Sequence, residues 1–430
     1  MNRRDNSWVT AQRQPALDSD QAETLEFPEP SPVRSARVQR TRPASRLVEQ
    51  CRVASLRLLA DNVRSDGILA ATPTLRARAR HYNLVFARDA GMCVLAMARS
   101  GDPHLIAGAR ASLRTLAAHQ ADNGQIPKFV EPAEDGADFW YVGCIDATLW
   151  WLIAVEAMDR HAPDAAFSAS LAGPVRRALT WISCQEHPRL RLVSQNEASD
   201  WSDIMPRSGF VLYSNALWYY VKRLYNLPGQ EETRRYFNSL FYPFSGEIAE
   251  YRRLRLLNHF VRRRARNRDL YLSFVNFSFW GDEGDVFGNL LAVVLGLATD
   301  AHARAIEHRL ERAQVEHPVP VRTTLTPIEP YSPLWRDYMA RHSQNLVYQY
   351  HNGGCWPMVG GYWVMMLAGL GETRKAQAAL ETLARANAVN NWQFNEWFHG
   401  RTGVPMGMPG QSWNAASFLL ALDSLQGRIF

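Results

Sequence analysis

Residues 146–158, DATLWWLIAVEAM, are apolar on nearly every side of the helix that their spacing predicts. The stretch NLLAVVLGLA at 289–298 has the same character, whereas AHARAIEHRLERAQ at 301–314 and TRKAQAALETLARA at 373–386 keep one polar face. A helix that is apolar all round belongs inside a protein, and a striped helix belongs at its surface. Because the two kinds alternate along the chain, the sequence predicts helix pairs arranged as an inner and an outer ring, an all-α toroid.

The helical period starts near residue 45, and the chain before it has a different composition. Residues 1–45 are rich in Arg, Pro, Ser and Gln and lack apolar periodicity, which predicts a disordered Arg/Pro-rich tail. Residues 46–430 then form one helical domain, with few strand signals. Helices are predicted at 45–65, 89–100, 103–120, 144–159, 172–186, 213–226, 231–241, 246–265, 287–298, 301–313, 359–370, 373–388 and 411–425.

Charge and cysteine content narrow the class of protein. The net charge is +6, and the eight Arg and six acidic residues of the first 46 residues contribute +2 of it; the remaining +4 is spread over residues 47–430, so nucleic-acid binding has little support. Five scattered cysteines without a CxxC pair indicate reduced thiols in the cytoplasm. Arg3 and Arg4 precede no apolar stretch, which argues against export, and the most apolar windows are too short to span a bilayer. We therefore expect a cytoplasmic protein with no nucleic-acid or membrane partner, and a homo-oligomer is left open.

Six clusters of aromatic, amide and charged residues lie where helical patterns start or stop. Loops that precede the inner helices of a toroid meet at one end of it, so these clusters are expected to build a single pocket. The clusters are NLVFARD (83–89), NGQIP (123–127), SDWSDIMPRSG (199–209), GDEGD (281–285), YQYHNGGCW (348–356) and NEWFHGRTG (395–403).

The chemistry of these clusters suits a sugar. The chain holds 14 Trp, and indole rings cover the apolar faces of a pyranose while carboxylates and amides bind its hydroxyls. No metal-ligand spacing or phosphate loop is present, so no metal or organic cofactor is expected. The GDEGD loop lacks the spacing of an EF-hand and is interpreted as a turn before a helix.

Cleavage of a glycosidic bond needs two carboxyl groups, and the clusters offer few. Asp203 lies between Trp201 and Met205, surroundings expected to raise its pKa and keep it protonated. Glu396 is bracketed by aromatic residues, which is unusual for a solvated glutamate. For either residue alone, a structural role and a catalytic role are about equally supported. Asp146 heads an apolar helix, where an N-cap is the favoured interpretation.

Several of these motifs resemble the neutral and alkaline invertases, glycoside hydrolase family 100, in the inverting (α/α)6 clan that includes trehalases. The resemblance runs from about residue 80 to the C-terminus, and HNGGCWP is its most specific string. NLVFARD, NGQIP, CIDATLWWLIAV, VFGNLLAVVLGLAT and NEWFHGRTGVPMGMPGQSWNAASFL are similar to other motifs of that family. Around 199–220, DWSDIMPR followed by NALWYY is more similar to the glucosidase domain of glycogen-debranching enzymes, the amylo-α-1,6-glucosidases.

The resemblance implies an (α/α)6-barrel glycoside hydrolase in which Asp203 is the general acid and Glu396 the general base. Inversion requires these carboxyls to lie about 6.5–9.5 Å apart. The expected substrate is an α-glucoside, either a branch-point glucose or a small oligosaccharide. One alternative is sucrose hydrolysis, and another is a catalytically inactive carbohydrate-binding protein. The expected sugar contacts are Arg88, Asp89, Gln125, Asp146, Trp201, Arg207, His351, Asn352, Trp356, Gln411 and Trp413.

Overall fold

A computed structural model describes residues 45–132, 136–140, 144–244, 252–276 and 279–430. The predicted disordered tail lies outside this range except for Ser45, whose hydroxyl caps the first helix by accepting a hydrogen bond from the backbone N–H of Val48. The described residues form fourteen α-helices. These are α1 (Arg46–Asn62), α2 (Leu75–Ala79), α3 (Ala87–Arg99), α4 (Pro103–Ala118), α5 (Ile145–His161), α6 (Ala165–Cys184), α7 (Leu212–Leu224), α8 (Gln230–Phe241), α9 (Arg252–Arg264), α10 (Val286–Val294), α11 (Asp300–Arg312), α12 (Pro357–Gly369), α13 (Thr373–Trp392) and α14 (Ser412–Ser424).

Six of these helices form an inner ring. Helices α3, α5, α7, α10, α12 and α14 pack each against the next, and α14 packs back against α3, so the ring closes. Their burial explains this placement, since α5 is buried without interruption from Ile145 to Val155 and α12 from Pro357 to Leu367. The prediction of wholly apolar inner helices is confirmed.

The outer ring consists of α1, α4, α6, α8, α11 and α13, which pack on the outside of the inner helices. Each has a mixed surface; in α11, for example, Ile306 and Leu310 are buried while Arg304 is exposed. Alternation of outer and inner helices along the chain makes an (α/α)6 barrel, as predicted from the striped and apolar segments.

Three details of the helix prediction are wrong, and residues 246–251 of the helix predicted at 246–265 lie outside the described residues. Helix α10 ends at Val294 rather than 298, and Gly296 beyond it adopts a left-handed φ of +80°. Helix α6 starts at Ala165 rather than 172, because the Asp164 carboxylate accepts hydrogen bonds from the N–H groups of Ala166 and Phe167 and Pro174 lies inside the helix. The short helix α2, capped by Thr74, was not predicted, since one turn and a half is too short to show a period.

Short antiparallel strands occupy the loops at one end of the barrel. Strands β3, β4 and β5 form one sheet, β6 to β9 a second, and β1–β2 and β10–β11 two hairpins. Their bounds are β1 (Val63–Arg64), β2 (Gly67–Ile68), β3 (Val85–Phe86), β4 (Phe129–Glu131), β5 (Gly136–Asp138), β6 (Ser194–Gln195), β7 (Gly209–Val211), β8 (Phe274–Val275), β9 (Trp280–Gly281), β10 (Trp397–Phe398) and β11 (Pro405–Met406).

The inner helices all begin at the end of the barrel where these strands lie. Arg88 and Asp89 occupy the first turn of α3, Asp146 the first turn of α5, and Trp413 the first turn of α14. The sequence clusters therefore meet at one mouth. None of the helices in the described ranges is long and apolar enough to cross a lipid bilayer.

Candidate active site

Glu396 lies just before β10 and is buried. Its Oε1 accepts a hydrogen bond of 2.8 Å from the hydroxyl of Tyr82, and its Oε2 accepts one of 2.8 Å from the N–H of Met408. Burial raises the pKa of the Glu396 carboxyl to about 7, although the bonds from Met408 and Tyr82 lower it. Near neutral pH this carboxyl therefore exchanges a proton readily.

The backbone beside Glu396 is shaped to leave room for its carboxylate. Gly407 has a φ of +74°, and a Cβ at this position would overlap the Oε2 of Glu396. A glycine is needed here both for the left-handed conformation and for the close approach. The backbone at Gly407 and Met408, directly after β11, thus contacts Oε2, whereas Tyr82 bonds to Oε1.

Asp203 has a very different setting. Its Oδ2 accepts a hydrogen bond of 2.9 Å from the hydroxyl of Tyr350, while its Oδ1 lies 3.6 Å from Nζ of Lys128 and 3.9 Å from Nη2 of Arg88. Burial alone would raise its pKa, but the positive charges of Lys128 and Arg88 outweigh burial and hold the pKa below its ordinary value. The expectation of a raised pKa, based on Trp201 and Met205, is wrong because these cations come from other loops.

The guanidinium group of Arg88 is held in place by Asp146. The Oδ2 of Asp146 accepts hydrogen bonds from Nη1 of Arg88 at 2.8 Å and from the hydroxyl of Tyr213 at 2.9 Å. The N-cap residue of α5 is Cys144, so the interpretation of Asp146 as a helix cap is wrong. Asp146 is fully buried and holds Arg88 in place, and its predicted sugar contact stays a prediction.

Asp89, the neighbour of Arg88, lies at the same depth. It is buried, and burial raises its pKa to about 6 against the lowering effect of the Arg88 charge. Its negative charge also raises the pKa of Glu396. Asp89 is therefore electrostatically linked to Glu396, and its predicted sugar contact remains a prediction.

Arg207 is buried among carboxylates. Its Nη2 is 3.2 Å from Oδ1 of Asp285, and its Nε is 3.9 Å from Oε1 of Glu283. Burial raises the pKa of Asp285 to about 6 and also raises that of Asp200, in both cases against the Arg207 charge. The GDEGD turn therefore pairs with an arginine, and within the described residues no group of three or more His, Cys, Asp or Glu could hold a metal ion.

Several buried polar atoms at the mouth have no hydrogen-bond partner among the described residues. Such orphaned groups are costly in a protein interior unless a ligand or water satisfies them. They include Nε2 of Gln125, Nε1 of Trp201, both ring nitrogens of His351, both amide atoms of Gln411 and Nε1 of Trp413. These donors and acceptors match the hydroxyl groups of a sugar.

Aromatic rings surround these polar atoms. His351 stacks on Trp356 with ring centroids 4.6 Å apart and meets the edge of Trp201 at 4.5 Å. Burial lowers the pKa of His351 to about 3, so the imidazole is neutral at pH 7. A neutral imidazole can both donate and accept a hydrogen bond, as a sugar hydroxyl requires.

Two predicted sugar contacts are bonded within the protein instead. Asn352 donates to the carbonyl oxygens of Ile328 and Asn345 and accepts from the N–H of Ile328, so its amide holds two loops together. Trp356 donates its Nε1–H to the carbonyl oxygen of Tyr350 and is fully buried. These side chains support the site in this structure, and their predicted sugar contacts stay predictions.

Three residues that position the carboxylates were not predicted. Tyr82 immediately precedes NLVFARD, Lys128 immediately follows NGQIP, and Tyr350 lies inside YQYHNGGCW without having been selected. The sequence signal that could have identified them is that they lie in or next to these motifs. What each one contacts depends on a partner far away in the chain.

The C-terminal part of the chain is similar to a known family of enzymes. The sequence model of the family described as alkaline and neutral invertase matches residues 276–427. Cytosolic invertase 1 of Oryza sativa subsp. japonica is 28% identical over 146 residues, which are 32% of this chain and 25% of that protein. Neutral/alkaline invertase 1, mitochondrial, of the same plant is 28% identical over 137 residues, 31% of this chain and 21% of that protein. The chain thus spans about a quarter of the length of the curated relatives it matches.

Solved structures match over most of the chain at low identity. A GH63 mannosylglycerate hydrolase from Thermus thermophilus, in complex with Tris and D-glycerate, has a TM-score of 0.62 and 14% identity, covering 86% of this chain and 99% of that one. The glucoamylase of Hormoconis resinae has a TM-score of 0.59 and 10% identity, covering 89% and 73%. The chain shares the (α/α)6-barrel fold of these structures, and its residues 276–427 are similar to the alkaline and neutral invertases.

Proposed function

We propose that this protein is an inverting glycoside hydrolase that cleaves an α-glucosidic bond. The observation that carries the proposal is the pair of carboxylates, Asp203 and Glu396, each held by a tyrosine hydroxyl at the mouth of the barrel. The orphaned amide, indole and imidazole groups around them support a sugar as the ligand. A protein that only binds carbohydrate would need the polar groups but not two carboxylates tuned in opposite directions.

In the proposed reaction Asp203 is the acid and Glu396 the base. Asp203 donates a proton to the glycosidic oxygen as the bond from that oxygen to the anomeric carbon breaks. Water attacks the anomeric carbon from the opposite face and gives its proton to Glu396. Since 27% of the Asp203 side chain is exposed and Glu396 is buried, the leaving group is placed on the outer side and the water on the inner side.

The free site has the opposite proton order from the one this reaction needs. Glu396 has a pKa of about 7, whereas the pKa of Asp203 is lowered mainly by Lys128 and Arg88. Substrate binding must therefore weaken the effect of these cations on the pKa of Asp203, so that Asp203 is protonated before it acts as the acid. The reverse assignment, with Glu396 as acid, is the competing hypothesis on the same residues.

The proposed chemistry is compatible with two classes of substrate. We favour a small α-glucoside, and sucrose is the second candidate because the matching family is named for invertases. The names of the matched relatives include cytosolic and mitochondrial proteins, so the cytoplasmic location stays a prediction.

α-Glucosyl fluoride separates the two carboxylates, because fluoride leaves without a proton. We expect Asp203→Asn to lose hydrolysis of sucrose and maltose but to keep much of its activity on the fluoride. Glu396→Gln should lose all of these activities, by about 10²–10⁴-fold. NMR of the first-formed sugar should show β-glucose.

The reverse pattern of the two variants would exchange their roles. First-formed α-glucose would exclude inversion. No turnover of fluoride or natural glucosides, with sugar binding still measured by calorimetry, would favour the carbohydrate-binding alternative.

A further inference from the structure

We infer that the preferred substrates carry an anionic group on the leaving group, and that Lys128 binds this anion. The inference rests on the proposed hydrolase and adds a specificity-determining residue to it. Its basis is the position of one ammonium group beside Asp203.

The backbone of Lys128 is fixed from two sides. Its N–H donates to the carbonyl of Asp138 at 2.7 Å, and its carbonyl accepts from the N–H of Ala87 at 2.9 Å. Lys128 is therefore tied both to β5 and to the start of inner helix α3. Its side chain reaches the site from a braced position, as a binding residue should.

Among the described residues, the ammonium group contacts Asp203 and Trp140. Nζ lies 3.6 Å from Oδ1 of Asp203 and 3.8 Å from the ring centroid of Trp140. The face of the Trp140 ring attracts a cation, so the ammonium group of Lys128 stays in place even when Asp203 is no longer its partner. The side chain of Lys128 is 11% exposed and that of Asp203 is 27% exposed, whereas the side chains of Arg88 and Asp146 are 6% and 0% exposed. Of the two cations beside Asp203, the ammonium group of Lys128 is therefore the one nearer to solvent.

Of the two cations near Asp203, Lys128 is the one suited to exchange partners. Arg88 is bonded to Asp146 at 2.8 Å. The ammonium group of Lys128 carries three N–H groups on a flexible stem, and its contact with Asp203 is long. A carboxylate or phosphate on the leaving group would replace Asp203 as the partner of the ammonium group, while the glucosyl ring lies deeper in the site.

Such an exchange would also help the chemistry. An anion that binds Lys128 offsets the charge that keeps Asp203 ionised, and its own negative charge close to Asp203 favours the protonated acid. A neutral leaving group leaves the Lys128–Asp203 contact intact. The same residue would therefore select the substrate and couple its binding to protonation of Asp203.

The test uses three glucosides that differ only in the charge of a three-carbon leaving group: α-glucosylglycerol, α-glucosylglycerate and α-glucosylglycerol phosphate. We expect wild-type kcat/KM to be at least about tenfold higher for one of the charged compounds than for the neutral one. Lys128→Met should remove this preference, and Lys128→Arg should keep part of it. The charged compound whose preference depends on Lys128 identifies carboxylate or phosphate as the anion.

Equal kcat/KM for neutral and charged glucosides in the wild type would overturn the inference. So would a Lys128→Met variant that slows all three compounds equally, since that pattern means that Lys128 only positions Asp203. α-Glucosyl fluoride is assayed in parallel. If even this compound is not hydrolysed, the proposed function itself fails and the inference with it; if the fluoride is hydrolysed without a charge preference, only the inference fails.

Discussion

Glu396 and Asp203 are carboxylates at the mouth of the same barrel, yet their surroundings move their pKa values in opposite directions. Around Glu396 burial dominates, and the groups that bond to it are a neutral hydroxyl and a backbone N–H. Around Asp203 burial also raises the pKa, but the charges of Lys128 and Arg88 outweigh it. The comparison shows that burial alone does not set the proton order of a site; the charges that other loops bring to each carboxylate decide it.

The largest expected effect is on the free energy of unfolding, and it comes from Asp146, which holds Arg88 beside Asp203. Asp146→Ala leaves the buried Arg88 without its partner, so we expect the free energy of unfolding to fall by about 3–5 kcal/mol. Urea denaturation measures this change. Asp423→Ala, which removes the partially exposed partner of Arg99, is the matched control and should cost about 1 kcal/mol or less. Equal costs for the two variants would show that Arg88 does not depend on Asp146.

The next prediction tests whether Gly407 is needed to leave room for the carboxylate of Glu396. Gly407→Ala places a methyl group against the carboxylate and imposes a left-handed conformation on alanine, which should cost about 1–3 kcal/mol of stability and lower kcat. Gly369→Ala is the control, because a Cβ there meets open space at the end of α12. Thermal melting and hydrolysis rates of both variants give the comparison. A normal Gly407→Ala enzyme would mean that the carboxylate of Glu396 does not need Gly407.

The two carboxylates should have opposite effects on stability at pH 8. The folded pKa of Glu396 is raised, so its stabilising contribution is present below its unfolded pKa and is lost as the pH rises through about 7. Glu396→Gln should thus gain on the order of 1–3 kcal/mol relative to wild type between pH 5 and pH 8. The folded pKa of Asp203 is lowered, so its contribution is present above its unfolded pKa and is lost as the pH falls through the folded value. Asp203→Asn should accordingly destabilise the protein at pH 8.

Melting temperatures at pH 5 and pH 8 measure both changes. Two variants that shift stability in the same direction at pH 8 would contradict the contrast between the pockets.

The smallest expected effects come from the two tyrosines. Tyr82→Phe removes a bond to Glu396, and Tyr350→Phe removes one to Asp203; each loss should raise the pKa of its carboxyl and cost about 0.5–1.5 kcal/mol of stability. In pH–rate profiles, Tyr82→Phe should move the limb that reports Glu396 upward. Identical profiles for the two variants would mean that the tyrosines do not act on separate carboxyls.

Much of the barrel could be predicted from the sequence because its helices are long and strongly patterned. The all-round apolar character of 146–158 already placed α5 inside, and the polar face of 301–314 placed α11 outside. The failures are local: α2 is too short for a period, and Pro174 obscures the start of α6. The alternation of apolar and striped helices predicted the toroid, and the family resemblance implied that it has six helix pairs.

The candidate site could be predicted only in part. Loop clusters at helix starts located the mouth, but the lowered pKa of Asp203 depends on Lys128 and Arg88, which no local pattern connects to it. Sequence also cannot distinguish an amide that faces a cavity from one that holds a turn. Gln411 has orphaned amide atoms at the mouth, whereas Asn352 uses its amide to join two loops.

The common direction of the six inner helices has an electrostatic consequence for this mouth. Each helix carries a partial positive charge, roughly +0.5, at its N-terminus, and the ring aims these ends at one place. Asp89 and Asp146 lie in first helical turns, and Asp285 is the N-cap residue of α10. The backbone thus lowers the cost of gathering buried carboxylates here, and it leaves the mouth more attractive to anions than its side chains alone would make it.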